Sequence, residues 1–201
     1  ERVVDDLIQN YPQYDYLVVN DGSKDRTAAI CREKGYHFLD LPVNLGLAGA
    51  FQAGMRYADR MDYDMAIQFD DDGQHDPQYI EAMAAKMEEE ALDVVIGSRF
   101  RDKKKPLSLR MMGNQMIQLA IQITTGVTIK DPTSGMRMFN RSMIREFAHN
   151  LNYGPEPDTI AYLLRNGASV QEVQVEMKER IAGESYFNLK RAVEYMVRMC
   201  T

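Results

Sequence analysis

The amino-acid sequence predicts an α/β fold in which helices flank a mostly parallel β-sheet. Short β-rich runs alternate with helical stretches, which is the pattern of parallel strands joined by helical crossovers. The 201 residues, 45% of them hydrophobic, are enough to bury a sizeable core. Polar residues gather where the predicted strands end, at the edge where sheets of this class bind ligands.

The predicted elements follow one another in a regular order. The first strand covers residues 14–20 and leads through the turn Asp21-Gly22-Ser23 into a helix. Pro77 lies where a later helix begins, a position that suits its fixed backbone angle. The remaining elements are helices at 24–34, 47–61 and 77–91 and strands at 36–39, 65–70 and 93–97.

Charge is distributed unevenly, although the formal net charge is only -6. Residues 59–93 hold twelve acidic residues against Arg60 and Lys86, which gives this segment a charge of -10. A basic strip follows, with only Asp102 opposing Arg99, Arg101, Lys103, Lys104, Lys105 and Arg110. This arrangement suits a bound cation and anionic ligands. It disfavours nucleic acid as a partner, because positive charge should dominate a nucleic-acid-binding face.

Cysteine and histidine contribute little to the predicted chemistry. Cys31 and Cys200 lie far apart and without metal-ligand spacing, which indicates no disulfide framework and no zinc site and fits a reducing compartment. His37, His75 and His149 have no nucleophile or metal partner at meaningful spacing, so we assign them no catalytic role.

An uncharged stretch at 111–129 is predicted to form an amphipathic helix. Its polar face carries Asn114, Gln115, Gln118 and Gln122. Its apolar face carries Met112, Met116, Leu119, Ala120 and Ile123. Sequence alone leaves two interpretations: this apolar face packs on the core of the protein, which is favoured, or it lies in a bilayer interface.

The strongest single signal is the run Asp70-Asp71-Asp72-Gly73-Gln74. Strand alternation places Asp70 and Asp72 on one side, where two carboxylates and the Gln74 carbonyl can approach one hard divalent cation. An EF-hand is excluded, because its loop needs glycine at the sixth position. An acidic turn without metal is the remaining alternative.

A run of small residues begins the helix at 47–61. Asn44-Leu45-Gly46-Leu47-Ala48-Gly49-Ala50 lets a phosphate approach backbone N–H groups at a helix N-terminus. It lacks both the Walker and the dinucleotide-binding patterns. Tight packing of the helix on the sheet explains the same glycines equally well.

Taken together, these motifs resemble family 2 glycosyltransferases of the GT-A fold. Residues 20–27, 44–50 and 70–75 carry the resemblance, which continues through Gly97-Ser98-Arg99-Phe100, Asp131-Pro132-Thr133-Ser134-Gly135-Met136-Arg137 and residues 180–185. The Gln-His after the acidic run and the Gly-Ser-Arg segment make the chain most similar to polyprenyl-phosphate (dolichyl-phosphate type) hexosyltransferases.

The resemblance implies roles for individual residues. Asp21 contacts the donor nucleotide, and Asn44, Gly46 and Gly49 lie close to the donor. Asp70, Asp72 and Gln74 hold Mg²⁺ or Mn²⁺ against the sugar-nucleotide diphosphate, which makes Asp70 donor-binding and Asp72 catalytic. Arg99 and Arg110 grip the acceptor phosphate, because guanidinium is a fixed-charge fork suited to phosphate.

The acceptor side has further candidates. A hydroxyl acceptor needs a carboxylate base, for which Glu156 and Asp158 are candidates, and Arg180 is a candidate acceptor-site residue. Capping of the helix that follows is the alternative role of Glu156 and Asp158.

The resemblance also implies an activity and a domain plan. We expect a metal-dependent enzyme that moves a hexose from a UDP- or GDP-sugar to a polyprenyl phosphate, at the cytoplasmic face of a membrane it contacts peripherally. A saccharide hydroxyl acceptor, a nucleotidyltransferase and a non-catalytic binding domain are the alternatives. Residues 1–185 are expected to form the catalytic domain without its first strand. Residues 186–201 should form an amphipathic helix leading to membrane segments.

Overall fold

The computed structural model describes residues 1–70, 73–103, 109–151, 153–177 and 195, with residues 109 and 110 described by their backbone alone. The chain forms two compact units. The first comprises Glu1–Asp64 with Ile144–Pro155, and the second comprises Met65–Met143 with Glu156–Thr201.

The first unit contains a two-stranded parallel sheet. Strand β1 (Val18–Asn20) pairs with β2 (Phe38–Asp40), so that Val18 lies opposite Phe38. Parallel strands need a crossover connection, and the helix between them supplies it. The helices of this unit are α1 (Arg2–Asn10), α2 (Thr27–Lys34) and α3 (Gly46–Arg60).

Apolar side chains from α1, α2 and the strands form a small core in the first unit. Val4, Cys31 and Tyr36 are buried, and the half-buried Val18 and Phe38 pack against them. Burying such side chains contributes about 1.5–3 kcal/mol each.

The second unit contains a four-stranded mixed sheet. Its strands are β3 (Met65–Gln68), β4 (Val94–Ser98), β5 (Arg137–Asn140) and β6 (Val170–Gln174), in the order β3-β5-β4-β6. Strand β5 runs antiparallel to β3 and β4, whereas β4 and β6 are parallel. Strands β3, β4 and β6 therefore end at one edge of the sheet, and β5 begins there.

Strand β4 is buried along its whole length. A strand covered on both faces reads as a continuous apolar run, which explains Val94-Val95-Ile96. A 3₁₀ turn (Pro77–Tyr79) leads into α4 (Ile80–Glu89), whose Met83 and Met87 are buried. The other helices are α5 (Leu109–Thr125), α6 (Arg141–His149), which ends in the first unit, and α7 (Pro157–Arg165).

Helix α5 corrects the predicted orientation of its faces. Its buried side includes Asn114, Ile117 and Ile121, and the helix packs against α7. The apolar residues assigned to the core are instead exposed: Met112, Met116, Leu119 and Ile123. The prediction was wrong because α5 is apolar on two sides. Asn114, which was expected to face solvent, is buried instead and is hydrogen-bonded to Asp131 and Thr133. Within the described residues, no helix is long and apolar enough to cross a bilayer.

The predicted α/β class and the elements up to β4 are confirmed, with differences at their ends. The first strand is shorter than predicted, and β3 ends at Gln68 rather than at residue 70. Strands β5 and β6 were not predicted. Strand β5 starts with the buried, charged Arg137, which hides the apolar pattern of a strand.

Candidate active site

Asp70 follows β3 and is held by the loop that leaves the strand. Its backbone N–H donates to Nδ1 of His75 over 3.0 Å, and Gln68 Nε2 donates to its Oδ1 over 3.3 Å. The His75 side chain is 3% exposed, whereas the Asp70 side chain is 45% exposed. The loop therefore presents a fixed carboxylate that remains open to a ligand.

The acidic motif lies beyond the end of β3. Because β3 ends at Gln68, strand alternation does not set the direction of the Asp70 side chain. A hydrogen bond to a buried histidine sets the loop instead, so His75 has a positioning role that the sequence analysis missed. Asp71 and Asp72 lie outside the described residues. Gln74 lies within the same loop, between Asp70 and His75 in sequence.

The loop before β5 packs directly against Asp70. A Cβ on Gly135 would collide with Asp70 Oδ2 and would lie 3.3 Å from Cε1 of His75. Ser134 Oγ donates to the Gly97 carbonyl at the end of β4 over 2.5 Å. The loop at 131–136 thus joins the end of β3 to the end of β4.

Arg137 is a buried cation behind this loop. Its guanidinium is 1% exposed and donates to the carbonyls of Ser134 (3.0 Å), Pro132 (2.8 Å) and Glu156 (3.1 Å). Burial lowers the pKa of Arg137 to about 10, although the carboxylates of Asp70, Asp131 and Asp158 oppose this shift. Arg137 therefore stays protonated at neutral pH and adds a positive charge beneath the acidic loop.

Arg99 follows β4 and is bound to the buried carboxylate of Asp131. Arg99 Nε donates to Oδ2 over 2.7 Å, and Nη2 donates to Oδ1 over 2.7 Å. The Arg99 backbone N–H donates to the same Oδ2 over 3.0 Å. Hydrogen bonds to Asp131 raise the pKa of Arg99, although burial opposes them. Sequence analysis selected Arg99 but not its partner.

Further polar groups surround Asp131. Asn114 Nδ2 lies 3.3 Å from Asp131 Oδ1 and 2.8 Å from Thr133 Oγ1. Glu172 on β6 accepts the backbone N–H groups of Lys130 (2.8 Å) and Asp131 (2.7 Å). A polar residue at 114 inside an apolar helix was the available signal for this network.

An open cavity of about 370 Å³ lies beside Arg99. The cavity is lined by Arg99, Lys103, Val175, Glu176 and Met177. Lys103 Nζ lies 2.5 Å from Glu176 Oε1, and both side chains are exposed. The side chain of Arg110 and residues Lys104, Lys105 and Arg180 lie outside the described part of the chain.

Glu156 and Asp158 lie at the beginning of α7. Glu156 occupies the N-cap position but makes no capping hydrogen bond with its side chain to a described residue. Its Oε1 instead accepts from the Tyr195 hydroxyl over 2.9 Å. Asp158 lies in the first turn of α7, where the helix dipole favours negative charge.

Three of the predicted donor-binding residues, Asp21, Asn44 and Gly46, are joined by hydrogen bonds in the first unit, whereas Asp70 belongs to the second unit. Asp21 Oδ1 accepts the backbone N–H of Leu45 over 2.7 Å, and Asn44 Nδ2 donates to the Asp21 carbonyl over 3.0 Å. Asn44 Oδ1 accepts the N–H of Gly46 over 3.1 Å, where φ is +74°. A Cβ on Gly49 would collide with the Leu45 side chain just before the same helix, so local packing requires a small residue there.

Comparison with known proteins identifies the family. Residues 1–147 match the family model for glycosyl transferase family 2. An undecaprenyl-phosphate mannosyltransferase from Micrococcus luteus is 29% identical over 187 residues, covering 87% of this chain and 76% of that protein. A polyprenol monophosphomannose synthase from Mycolicibacterium smegmatis is 27% identical over 202 residues, covering 94% of this chain and 76% of that protein.

The fold is also found in a solved glycosyltransferase. Glucosyl-3-phosphoglycerate synthase from Mycobacterium tuberculosis, in complex with Mn²⁺, UDP and glucosyl-3-phosphoglycerate, superposes with a TM-score of 0.58 at 16% identity. The match covers 98% of this chain and 71% of that chain. The chain therefore belongs to glycosyltransferase family 2 and is a transferase with the GT-A fold.

Proposed function

We propose that this enzyme transfers a hexose from a nucleotide sugar to a polyprenyl phosphate. One observation carries the proposal: the loop at 131–136 joins the partly exposed carboxylate of Asp70 to the fixed guanidinium of Arg99 at one sheet edge. A carboxylate suits the metal-bound diphosphate of a donor, and a guanidinium suits the phosphate of an acceptor. The two relatives that act on polyprenyl lipids support the same assignment.

The acidic loop fits a divalent cation. The Asp70 side chain is 45% exposed and can therefore reach a cation. The described residues contain no cluster of three or more His, Cys, Asp or Glu side chains. Asp70, Asp72 and Gln74 would hold Mg²⁺ or Mn²⁺, which when bound neutralises charge on the departing nucleoside diphosphate. A site with so few protein ligands depends on donor oxygens to complete the coordination.

The chemistry is a displacement at the anomeric carbon of the sugar. An acceptor phosphate oxygen forms the new bond to this carbon while the bond to the nucleoside diphosphate breaks. A phosphate oxygen is already anionic, so it needs little help from a general base. Glu156 is engaged by Tyr195, and the proposal gives it no proton-transfer role.

We place helix α5 at the membrane surface. Met112, Met116, Leu119 and Ile123 recur at helical spacing, are 42–74% exposed, and lie in a stretch without charged residues. A polyprenyl phosphate has its chain in the bilayer, so the enzyme must bring its site to the interface. An apolar helical face close in sequence to Arg101 and Lys103 is suited to such a surface.

The test is transfer of labelled hexose. A panel of UDP- and GDP-hexoses should be incubated with the enzyme, Mn²⁺ and either farnesyl phosphate or farnesol. We expect organic-soluble label with farnesyl phosphate and one donor, and none with farnesol. Transfer to farnesol, or release of free hexose as the only reaction with every donor, would contradict the proposed acceptor.

A variant of Arg99 assigns the acceptor side. Arg99→Ala should lower transfer to farnesyl phosphate by roughly 10- to 100-fold, which corresponds to a charge-assisted hydrogen bond of about 1.5–3 kcal/mol. Binding of the donor should remain unchanged. Loss of donor binding in its place would assign Arg99 to the other substrate.

A further inference from the structure

We propose that Asp131 is a positioning residue that fixes the Arg99 guanidinium in the orientation needed for the acceptor phosphate. The inference rests on the proposed function, because it takes Arg99 as an acceptor contact. Asp131 lies behind Arg99, fully buried, so it acts through the arginine rather than on the substrate.

The geometry fixes the whole of Arg99 rather than its tip alone. One carboxylate accepts from the backbone N–H, from Nε and from Nη2 of the same residue. The Nε and Nη2 bonds define the plane of the guanidinium, as in other bidentate arginine–carboxylate pairs. Among the described contacts, none uses Nη1, so this amino group is the one we assign to the ligand.

Burial makes the pair hard to separate. Asp131 is 0% exposed, and the Arg99 side chain is 18% exposed. If Arg99 turned away toward a ligand, a buried carboxylate would lose its cationic partner, which is strongly unfavourable. Arg99 therefore keeps one orientation before and after the acceptor binds. Binding then requires little further loss of side-chain freedom.

Asp131 is itself held from two sides. Asn114 on α5 and the hydroxyl of Thr133 contact its Oδ1, and both also contact each other. Glu172 on β6 fixes the backbone N–H of Asp131. Gln174 Nε2, at the end of β6, donates to the Arg99 carbonyl over 3.1 Å. Arg99 is thus held, through Asp131 and through its own carbonyl, by helix α5 and strand β6.

The opposite end of β4 supplies a matched control. Asp93 precedes β4 and accepts from the Ser169 backbone N–H (2.9 Å), the Ser169 hydroxyl (3.0 Å) and Asn140 Nδ2 (3.0 Å). Like Asp131, it is a carboxylate that joins neighbouring segments of the second unit. Unlike Asp131, it has no arginine partner among its described contacts, and it lies at the far end of the strand.

The test compares Asp131→Asn with Asp93→Asn in steady-state kinetics. For Asp131→Asn we expect the KM for farnesyl phosphate to rise at least tenfold, while the KM for the donor stays within twofold. For Asp93→Asn we expect both KM values within twofold of wild type, whatever its thermal stability. An unchanged acceptor KM in Asp131→Asn, or an equal rise in Asp93→Asn, would overturn the inference.

A spectroscopic measurement separates this inference from the proposed function. In ¹H–¹⁵N spectra, the Arg99 Nε–H should exchange slowly in wild type and in Asp93→Asn, and at least tenfold faster in Asp131→Asn. Equal exchange in all three proteins overturns the positioning role. An enzyme that transfers nothing to farnesyl phosphate refutes the proposed function instead, and the exchange rates then decide the positioning role alone.

A milder variant covers the case in which Asp131→Asn does not fold. Thr133→Val is nearly isosteric and removes only the hydroxyl that contacts Asp131, Asn114 and Arg99 Nη2. It should raise the KM for farnesyl phosphate two- to fivefold and leave the donor KM unchanged. An unchanged acceptor KM in this variant, with the hydroxyl removed, counts against the network.

Discussion

The backbone N–H of Asp70 donates a 3.0 Å hydrogen bond to Nδ1 of His75, so a buried imidazole holds the first residue of the acidic motif. Because Nδ1 accepts, the ring proton resides on Nε2, the atom 3.8 Å from Asp70 Oδ2. The Phe69 ring and the same imidazole form a T-shaped pair, with 5.3 Å between their centroids. His75 thus fixes the backbone of the residue that carries this carboxylate.

Replacement of His75 tests this relationship. His75→Ala leaves the Asp70 N–H without its acceptor and should weaken Mn²⁺–UDP binding about 10- to 100-fold, as for other groups that orient metal ligands. His75→Asn, whose side-chain oxygen can accept the same N–H, should recover most of the affinity. Calorimetric titration measures both. His149→Ala, at an exposed histidine paired with Asp59, is the control and should bind like wild type.

Gly135 should not tolerate a side chain. Gly135→Ala forces either the loop or the Asp70 carboxylate to move, with an expected loss of about 1–3 kcal/mol in the free energy of unfolding and weaker Mn²⁺–UDP binding. The control is Gly54→Ala, where the new Cβ meets only Val19 at 3.6 Å and the helix gains propensity. Equal stability of the two variants in urea denaturation would contradict the predicted collision between a Cβ at position 135 and Asp70.

The cation should bind together with the donor. Two carboxylates and an amide carbonyl leave coordination positions open, so Mn²⁺ alone should bind at least tenfold more weakly than Mn²⁺ with UDP or GDP. Asp70→Asn and Asp72→Ala should abolish the difference, and the exposed Asp62→Asn should not. Calorimetry with and without nucleotide measures this. Equal affinity in the two conditions, or an Asp72→Ala variant that behaves as wild type, refutes the metal assignment.

Helix α5 should bind anionic membranes. Replacing Met116, Leu119 and Ile123 by Gln should reduce co-sedimentation with phosphatidylserine vesicles more than tenfold, because the protein then lacks three exposed apolar side chains that can insert into the bilayer interface. The control is Met61→Gln, an exposed methionine of the first unit. Wild-type protein that stays in the supernatant at low salt would refute the proposal that α5 binds the membrane surface.

The basic strip should add a salt-sensitive component to this binding. Each cation near an anionic surface contributes about 1 kcal/mol, so changing Lys103, Lys104 and Lys105 to Gln should lower vesicle binding at low salt. At high salt the wild type and this variant should converge, since screening removes the contribution. Neutral vesicles provide the control. Binding that is equally strong at every salt concentration would exclude an electrostatic contribution.

The fold class was predictable from the sequence because the strands and helices up to β4 are recognisable from local residue patterns. Strand β5 was not predicted, since a strand that begins with a buried arginine has no apolar signature. Asp21, Asn44 and Gly46 lie together in the structure, joined by hydrogen bonds between residues fewer than 25 positions apart. Their contact with a donor nucleotide stays a prediction.

The partners of the selected residues were harder to predict than the residues themselves. Arg99 was recognisable from its motif, but Asp131 lies 32 positions away and Glu172 a further 41. Such pairings depend on which strands become neighbours, and the sheet order β3-β5-β4-β6 is not encoded in local periodicity. The buried face of α5 was assigned to the wrong side for a different reason, because the helix is apolar on two sides and the buried Asn114 is hydrogen-bonded to Thr133 and Asp131.

The reversed direction of β5 has a consequence for how this enzyme can vary. Its first residue, Arg137, pairs with Gln68 at the end of β3, so a one-residue insertion in β5 would turn Arg137 to the opposite face of the sheet. The segment from Gly126 to Thr128, by contrast, precedes the buried Ile129 and the Asp131 network, and has no ladder pairing with the described strands. Length changes among relatives should therefore accumulate there and spare the eight residues from 131 to 138.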